Sequence, residues 1–150
     1  MWGKPELDDK KILSIYSWNV NGINSTIKSK KLQEFIDSAK PDVLCLNETK
    51  IDPAKINKEG VWKNIPDGYE QHYNCCKIKN GYSGVAIFTR VKPISVRHDI
   101  GIPKHDGEGR VLTMEFNKIV LVAVYTPNAG EGLKRVKYRT EEWDEDFFKY

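Results

Sequence analysis

The segment from Thr26 to Asn47 constrains the fold of this chain more than any other stretch. Leu32, Phe35, Ile36 and Ala39 recur at i, i+3, i+4 and i+7, the spacing of an amphipathic helix over roughly 26–39. Pro41 stops that helix, because proline has no N–H to continue it. The run Asp42-Val43-Leu44-Cys45-Leu46-Asn47 then reads as a short, nearly continuous apolar strand, as expected where a sheet is covered on both faces. An earlier strand is predicted over 11–17, where Ile12, Leu13 and Ile15 are apolar. Strand, helix and strand in this order form a crossover unit and imply an α/β fold.

The middle of the chain is richer in strands and turns. Strands are predicted over 69–77 and 85–89, separated by the turn Lys79-Asn80-Gly81. Pro93 and the stretch 101–109 mark loops, the second carrying His105, Asp106 and Glu108. Two further runs, 110–116 and 119–125, read as a hairpin joined through Asn117-Lys118. From Leu133 the spacing of Val136, Trp143, Phe147 and Phe148 suggests a closing helix. Length fits one domain, divided here into a polar N-terminal tail at 1–10 and a domain at 11–150.

Charged residues make up 30% and hydrophobic ones 39%, a balance that suits a globular protein and not a disordered one. No apolar run is long enough for a bilayer span, and the start Met-Trp-Gly-Lys-Pro-Glu is no signal peptide, so no membrane partner is expected. The three cysteines point to a reducing, intracellular compartment. Cys45 reads as core, and the neighbours Cys75 and Cys76 should point to opposite faces. Neither a disulfide nor a zinc site is expected from their spacing. A net charge of +3 is too small to prove a nucleic-acid partner. The Lys28, Lys30, Lys31 cluster and the acidic run of Glu141, Glu142, Asp144, Glu145 and Asp146 both read first as solvated helix faces.

Chemistry is suggested where the strands end. Ser17-Trp18-Asn19-Val20-Asn21-Gly22, Asn47-Glu48-Thr49-Lys50 and Tyr125-Thr126-Pro127-Asn128-Ala129-Gly130 each put amides, a carboxylate or a phenol just past an apolar strand. That is the rim on which α/β sheets place their sites. Glu48 is the leading candidate, because a rigid buried strand would hold its carboxylate. With the amides of Asn19 and Asn21 nearby, the donors are hard oxygens suited to Mg²⁺ or Mn²⁺. Each residue also has a plain structural role open to it. Tyr125 could be an ordinary strand-end tyrosine, Tyr82 a lid on the core, and Asn128 a turn residue. Arg110 could simply pair with Glu108, and His105 could be a loop histidine.

In this setting Pro41-Asp42-Val43-Leu44-Cys45-Leu46-Asn47-Glu48-Thr49-Lys50 resembles the signature of the exonuclease III family of apurinic/apyrimidinic (AP) endonucleases, within the endonuclease/exonuclease/phosphatase superfamily. The resemblance runs through Trp18-Asn19-Val20-Asn21-Gly22, Gly81-Tyr82-Ser83-Gly84, His105-Asp106-Gly107-Glu108-Gly109-Arg110 and the Tyr125 block to Tyr138-Arg139 and Trp143-Asp144. It implies a four-layered α/β sandwich, with two mainly antiparallel mixed sheets flanked by helices, of which this chain is the N-terminal half. It also implies a Mg²⁺-dependent (or Mn²⁺-dependent) hydrolase of base-excision DNA repair. Such an enzyme cuts duplex DNA 5′ to abasic sites, often with 3′-5′ exonuclease or 3′-phosphodiesterase activity. On that resemblance Glu48 is a metal ligand, and Asn21 belongs to the metal site too, standing where many members carry an Asp that also approaches the metal. Tyr125, Asn19 and Asn128 are catalytic, and Gly81, Tyr82, Ser83, Lys50 and Arg110 meet the DNA.

The sequence departs from the pattern at four positions. Asn47 replaces a glutamine, Asn24 an arginine, Ser29 falls in a run that is often more basic, and Glu131 stands where some members carry a DNA-inserting arginine. Fewer cations at phosphates imply weaker, less salt-dependent binding. The family's Gly-Asp-x-Asn motif, a later Asp and a Ser-Asp-His motif are absent. They belong to a C-terminal half that would act as partner and supply the water-activating groups. The chain alone is therefore expected to be inactive or very weak. Two rival readings remain: another phosphoesterase of the superfamily, and a non-catalytic DNA-binding or interaction module.

Overall fold

A computed structural model describes residues 12–56, 66 and 68–150; the expected polar tail at 1–10 lies outside them. The strands are β1 (Ile15–Asn19), β2 (Val43–Asn47), β3 (Glu70–Asn74), β4 (Val85–Thr89), β5 (Ser95–His98), β6 (Val111–Glu115) and β7 (Val120–Val124). Helices α1 (Ile23–Lys28) and α2 (Lys31–Ala39) join β1 to β2, and α3 (Asp144–Lys149) follows a π-helical stretch at Tyr138–Trp143.

The strands form two sheets, one ordered β1-β2-β4-β3 and the other β5-β6-β7. β1 runs parallel to β2, with Ile15 opposite Val43 and Asn19 opposite Asn47. All remaining pairings are antiparallel. The crossover and the hairpin turning at Asn117-Lys118 are therefore where the sequence puts them.

β2 occupies the centre because its side chains are apolar on both faces. Leu44 and Leu46 pack with Ile23, Leu32 and Ile36 of the helices and with Phe88. Val43 and Cys45 pack the other way, with Ile87, Leu112, Met114 and Ala123 between the two sheets. The period-two alternation of a strand thus builds two cores from one six-residue run. Tyr150 returns to the second sheet, where its hydroxyl lies 2.7 Å from Thr113 Oγ1 and accepts from Arg97 Nε at 2.9 Å. All three cysteines are buried and unbonded to one another.

Four expectations need correction. Of the first strand expected over 11–17, Lys11 lies outside the described residues, and the strand begins at Ile15, where its partner begins at Val43, and runs on to Asn19. Just before it Ser14 donates its N–H and hydroxyl to Asp42 at 2.9 and 3.0 Å, while Asp42 N–H returns to Ser14. The single helix over 26–39 is two helices, with Lys30 left-handed (φ 60°) between them. Thr26 and Ser29 hydroxyls bond back to carbonyls three residues earlier, competing with helical continuation. The stretch after Pro93, read as loop, contains β5, which pairs with β6 from Ser95 to His98. The closing helix is interrupted by the π-helical stretch, and of the residues whose spacing suggested it Trp143 is buried while Phe148 is 91% exposed.

Candidate active site

After their parallel strands, the two segments that carry the candidate polar residues keep running side by side. Val20 N–H donates to Asn47 O at 3.0 Å, Gly22 N–H to Glu48 O at 2.7 Å and Ile23 N–H to Thr49 O at 3.0 Å. On its far side the Glu48 segment is held by Gly84 O and Ser83 O, which accept from Thr49 and Lys50 N–H at 3.1 and 2.9 Å. Asn21, Glu48, Lys50 and Ser83 all have positive φ, between 46° and 55°. Left-handed backbone at non-glycine residues costs about 1–2 kcal/mol each, and its concentration at one rim is a mark of a functional site. Gly84 is a glycine for a reason: a Cβ there would stand 2.4 Å from Thr49 Oγ1, at φ +91°.

This scaffold converges on the Glu48 carboxylate. Oε1 accepts from Asn19 Nδ2 at 2.9 Å and from Tyr125 Oη at 2.6 Å. Lys50 Nζ lies 3.3 Å from Oε2 and donates to Asn21 Oδ1 at 2.5 Å. Asn19 Oδ1 accepts the Asn21 N–H at 3.1 Å, which fixes the amide's orientation. The hydrogen bond from Asn19, then that from Tyr125, hold the Glu48 carboxyl below the usual range, with Lys50 adding to the effect. Partial burial and the adjacent carboxylate push the Tyr125 phenol up to about 12, against the pull of Arg110. Near neutral pH Glu48 is therefore an anion and Tyr125 an intact hydrogen-bond donor.

Behind Tyr125 lies Arg110, whose side chain is 2% exposed. Its Nε donates to Glu108 Oε2 at 2.6 Å, Nη1 to Tyr125 O at 3.0 Å and Nη2 to Tyr82 Oη at 3.1 Å. The guanidinium also sits 5.0 Å from the Tyr125 ring centre and 5.7 Å from that of Tyr82. A side chain so enclosed is turned inward, where Arg110 supports two tyrosines. Ser83 is likewise buried, at 1% exposure, and reaches the site through its carbonyl. Asn128 is exposed, and its Oδ1 accepts the Gly130 N–H at 2.9 Å, the turn role open to it in the sequence. Gly81 has φ 69° and gives the loop the turn that presents Tyr82.

His105 is buried between Tyr138 Oη, 2.9 Å from Nδ1, and Asp146 Oδ2, 3.0 Å from Nε2. It ties the 101–109 loop to the last helical segment. Sequence reading missed Arg135 altogether: its Nη2 lies 3.0 Å from Glu108 Oε1 and its Nη1 donates to Tyr82 Oη at 3.2 Å. Nothing in the local pattern marks it, since the pairing spans loops distant in sequence.

The oxygen donors fit a hard divalent cation. The Lys50 ammonium already bridges Glu48 and Asn21, so a positive centre is stable where the two oxygens converge. One carboxylate with amide oxygens suits Mg²⁺, which keeps several waters and takes oxygens from its substrate. No cluster of three or more His, Cys, Asp or Glu side chains occurs among the described residues.

These elements define a two-sheet α/β protein with a carboxylate–amide–phenol rim at its strand ends. The chain belongs to the Endonuclease/Exonuclease/phosphatase family, which matches residues 16–149. Within it the similarity is to AP endonucleases of the exonuclease III type. A DNA-(apurinic or apyrimidinic site) endonuclease of Dictyostelium discoideum is 44% identical over 149 residues, covering 96% of this chain and 40% of that protein. An exodeoxyribonuclease of Bacillus subtilis is 36% identical over 138 residues, covering 92% of this chain and 52% of its own length. The crystal structure of an AP endonuclease from Leishmania major superposes with a TM-score of 0.78 at 30% identity, over 99% of this chain and 52% of that one. The chain thus spans about half the length of the relatives it matches.

Proposed function

We propose that this chain carries the metal-binding share of a DNA-repair phosphodiesterase site, one that incises duplex DNA 5′ to abasic positions with Mg²⁺ or Mn²⁺. The observation that carries the reading is the Glu48 carboxylate, oriented by Asn19 and Tyr125 and bridged to Asn21 by a cation. Family membership and the names of the relatives support the substrate class.

In this reading Glu48 and Asn21 hold the metal, which when bound would neutralise charge that grows on the phosphate. Asn19 and Tyr125 keep Glu48 anionic and pointed; the Tyr125 hydroxyl is a preorganised donor at the same rim. Lys50 adds positive charge, and Tyr82 faces the DNA backbone. A hydrolytic water also needs a base. His72 pairs with Glu70, His98 reaches Tyr73 O, and His105 is enclosed by Tyr138 and Asp146. None of the three sits on Glu48, so no histidine of this chain is placed there as a base, and the chain alone is expected to be inactive or very weak.

The test is incision of a duplex with one abasic site, in Mg²⁺ and in excess EDTA, by the 150-residue chain and by a longer protein that contains it. EDTA-sensitive incision by the longer protein, lowered on the order of 10²-fold by Glu48→Gln, is expected. The chain alone should give none. Robust EDTA-sensitive incision by the chain would show that its own residues supply the base. Equal hydrolysis of intact DNA, RNA and lipid phosphates would favour a broader phosphoesterase. Duplex binding that never leads to cleavage, even with the rest of the fold supplied, would favour a DNA-binding module.

A further inference from the structure

Two guanidinium groups converge on one phenol in this molecule. Arg110 Nη2 and Arg135 Nη1 both donate to Tyr82 Oη, at 3.1 and 3.2 Å. Like charges gather at one oxygen only if an anion lies between them. Glu108 is that anion, with Oε2 on Arg110 Nε at 2.6 Å and Oε1 on Arg135 Nη2 at 3.0 Å. Its side chain is 12% exposed, so water screens little of the attraction.

The backbone prepares this arrangement. Gly109, between Glu108 and Arg110, has φ +64°, and a Cβ there would meet the Cys75 carbonyl carbon at 2.4 Å. Only glycine permits this close approach, which seats Arg110 under Tyr125. Arg135 is anchored separately, its N–H donating to Ala129 O at 2.7 Å and its guanidinium lying 4.6 Å from the Tyr138 ring centre.

The hydrogen count at Tyr82 is informative. A phenolic O–H both accepts and donates. Arginines can only donate, so they take up the accepting side of the Tyr82 oxygen and leave its proton as the donor. Two cationic donors polarise the phenol, and Tyr82 is only half-buried. The same Glu108–Arg110 pair holds the Tyr125 carbonyl and ring from behind.

We infer that Glu108 is a positioning residue. It locks Arg110 and Arg135 so that Tyr82 presents its hydroxyl proton to an anionic oxygen of the nucleic-acid backbone, in register with Tyr125. The inference rests on the nuclease reading for its ligand, and on the structure alone for its geometry. It assigns Glu108 no contact with substrate.

Two measurements on the chain separate these parts. The first needs no DNA: tyrosine ¹³Cζ resonances in wild type, Glu108→Gln and Arg135→Met. Glu108→Gln should shift Tyr82 and Tyr125 and leave Tyr69 and Tyr16 in place. Arg135→Met, which keeps the Glu108–Arg110 pair and is the safer variant for folding, should shift Tyr82, together with Tyr138 whose ring faces the Arg135 guanidinium, and leave Tyr125 in place. Unmoved Tyr82 in both variants overturns the proposal. The second is anisotropy of a labelled abasic duplex without metal, in wild type, Tyr82→Phe, Glu108→Gln and the double variant. Each single change should weaken binding on the order of tenfold, and the double no further. Additive losses would mean that Glu108 acts independently of Tyr82 and overturn the proposal. Absence of wild-type binding, alongside the expected shifts, would instead overturn the nucleic-acid ligand and leave the positioning geometry supported.

Discussion

At the scale of single residues, the site's electrostatics rest on neutral donors more than on charges. Glu48 owes its lowered pKa first to Asn19 and then to Tyr125, with Lys50 a smaller contributor. Asn19→Ala should therefore raise the Glu48 pKa more than Lys50→Met does, which ¹³C titration of the carboxyl can measure; the reverse order would show that the lysine dominates. A carboxyl whose folded pKa lies below its unfolded one stabilises the fold above the unfolded pKa. That contribution is lost as pH falls through the folded pKa. Wild type should thus lose stability on acidification across this window, and Glu48→Gln should lose less. Tyr125 titrates in the opposite sense, its phenol pushed up to about 12. Through the neutral range it remains a donor, so Tyr125→Phe should lower activity of a competent enzyme without altering the pH profile there. Arg110 teaches a related point. Its charge is legible in the sequence but its direction is not, because direction depends on Glu108, Tyr82 and Tyr125 meeting across three loops.

At the scale of elements, what could be read from the sequence followed from period and punctuation. β2 is apolar at every position between Asp42 and Asn47, and that alone located the centre of the sheet and the ends of the crossover. The break between α1 and α2 escaped because hydroxyl back-bonding at Thr26 and Ser29 leaves the apolar spacing intact. β5 escaped because Ser-Val-Arg-His after a proline has the composition of a loop, and only pairing with β6 makes it a strand. The glycines that press elements together give a direct test. Gly84→Ala and Gly109→Ala should each cost about 2–4 kcal/mol, from positive φ plus overpacking, measured by urea denaturation. The two should respond differently to relief. Gly84 meets the Thr49 hydroxyl, so Thr49→Ala should recover part of the loss. Gly109 meets the Cys75 backbone, so no side-chain truncation should help. Equal rescue of both would show that the contacts are not what limits these positions.

At the scale of the whole molecule, each sheet has, among the described residues, one guarded edge and one bare edge. β3 and β5, Glu-Gln-His-Tyr-Asn and Ser-Val-Arg-His, carry charged or polar side chains of the kind that discourage strand addition. β1 and β7, Ile-Tyr-Ser-Trp-Asn and Val-Leu-Val-Ala-Val, carry no charge at all. Val120 is 62% exposed and Ile15 42%, so these edges pair open backbone groups with apolar surface. Such edges recruit another strand, from a second copy or from further chain of the same fold. In isolation the 150-residue protein should therefore associate with rising concentration, as sedimentation velocity would show. Val120→Lys with Val122→Lys should suppress that association, because a buried lysine pair on an intermolecular strand is costly while an exposed one is not. The double variant touches none of the Glu48 contacts, so its Glu48 carboxyl resonance should match wild type. Association that persists unchanged in the variant would place the sticky surface elsewhere, with β1 the next edge to charge.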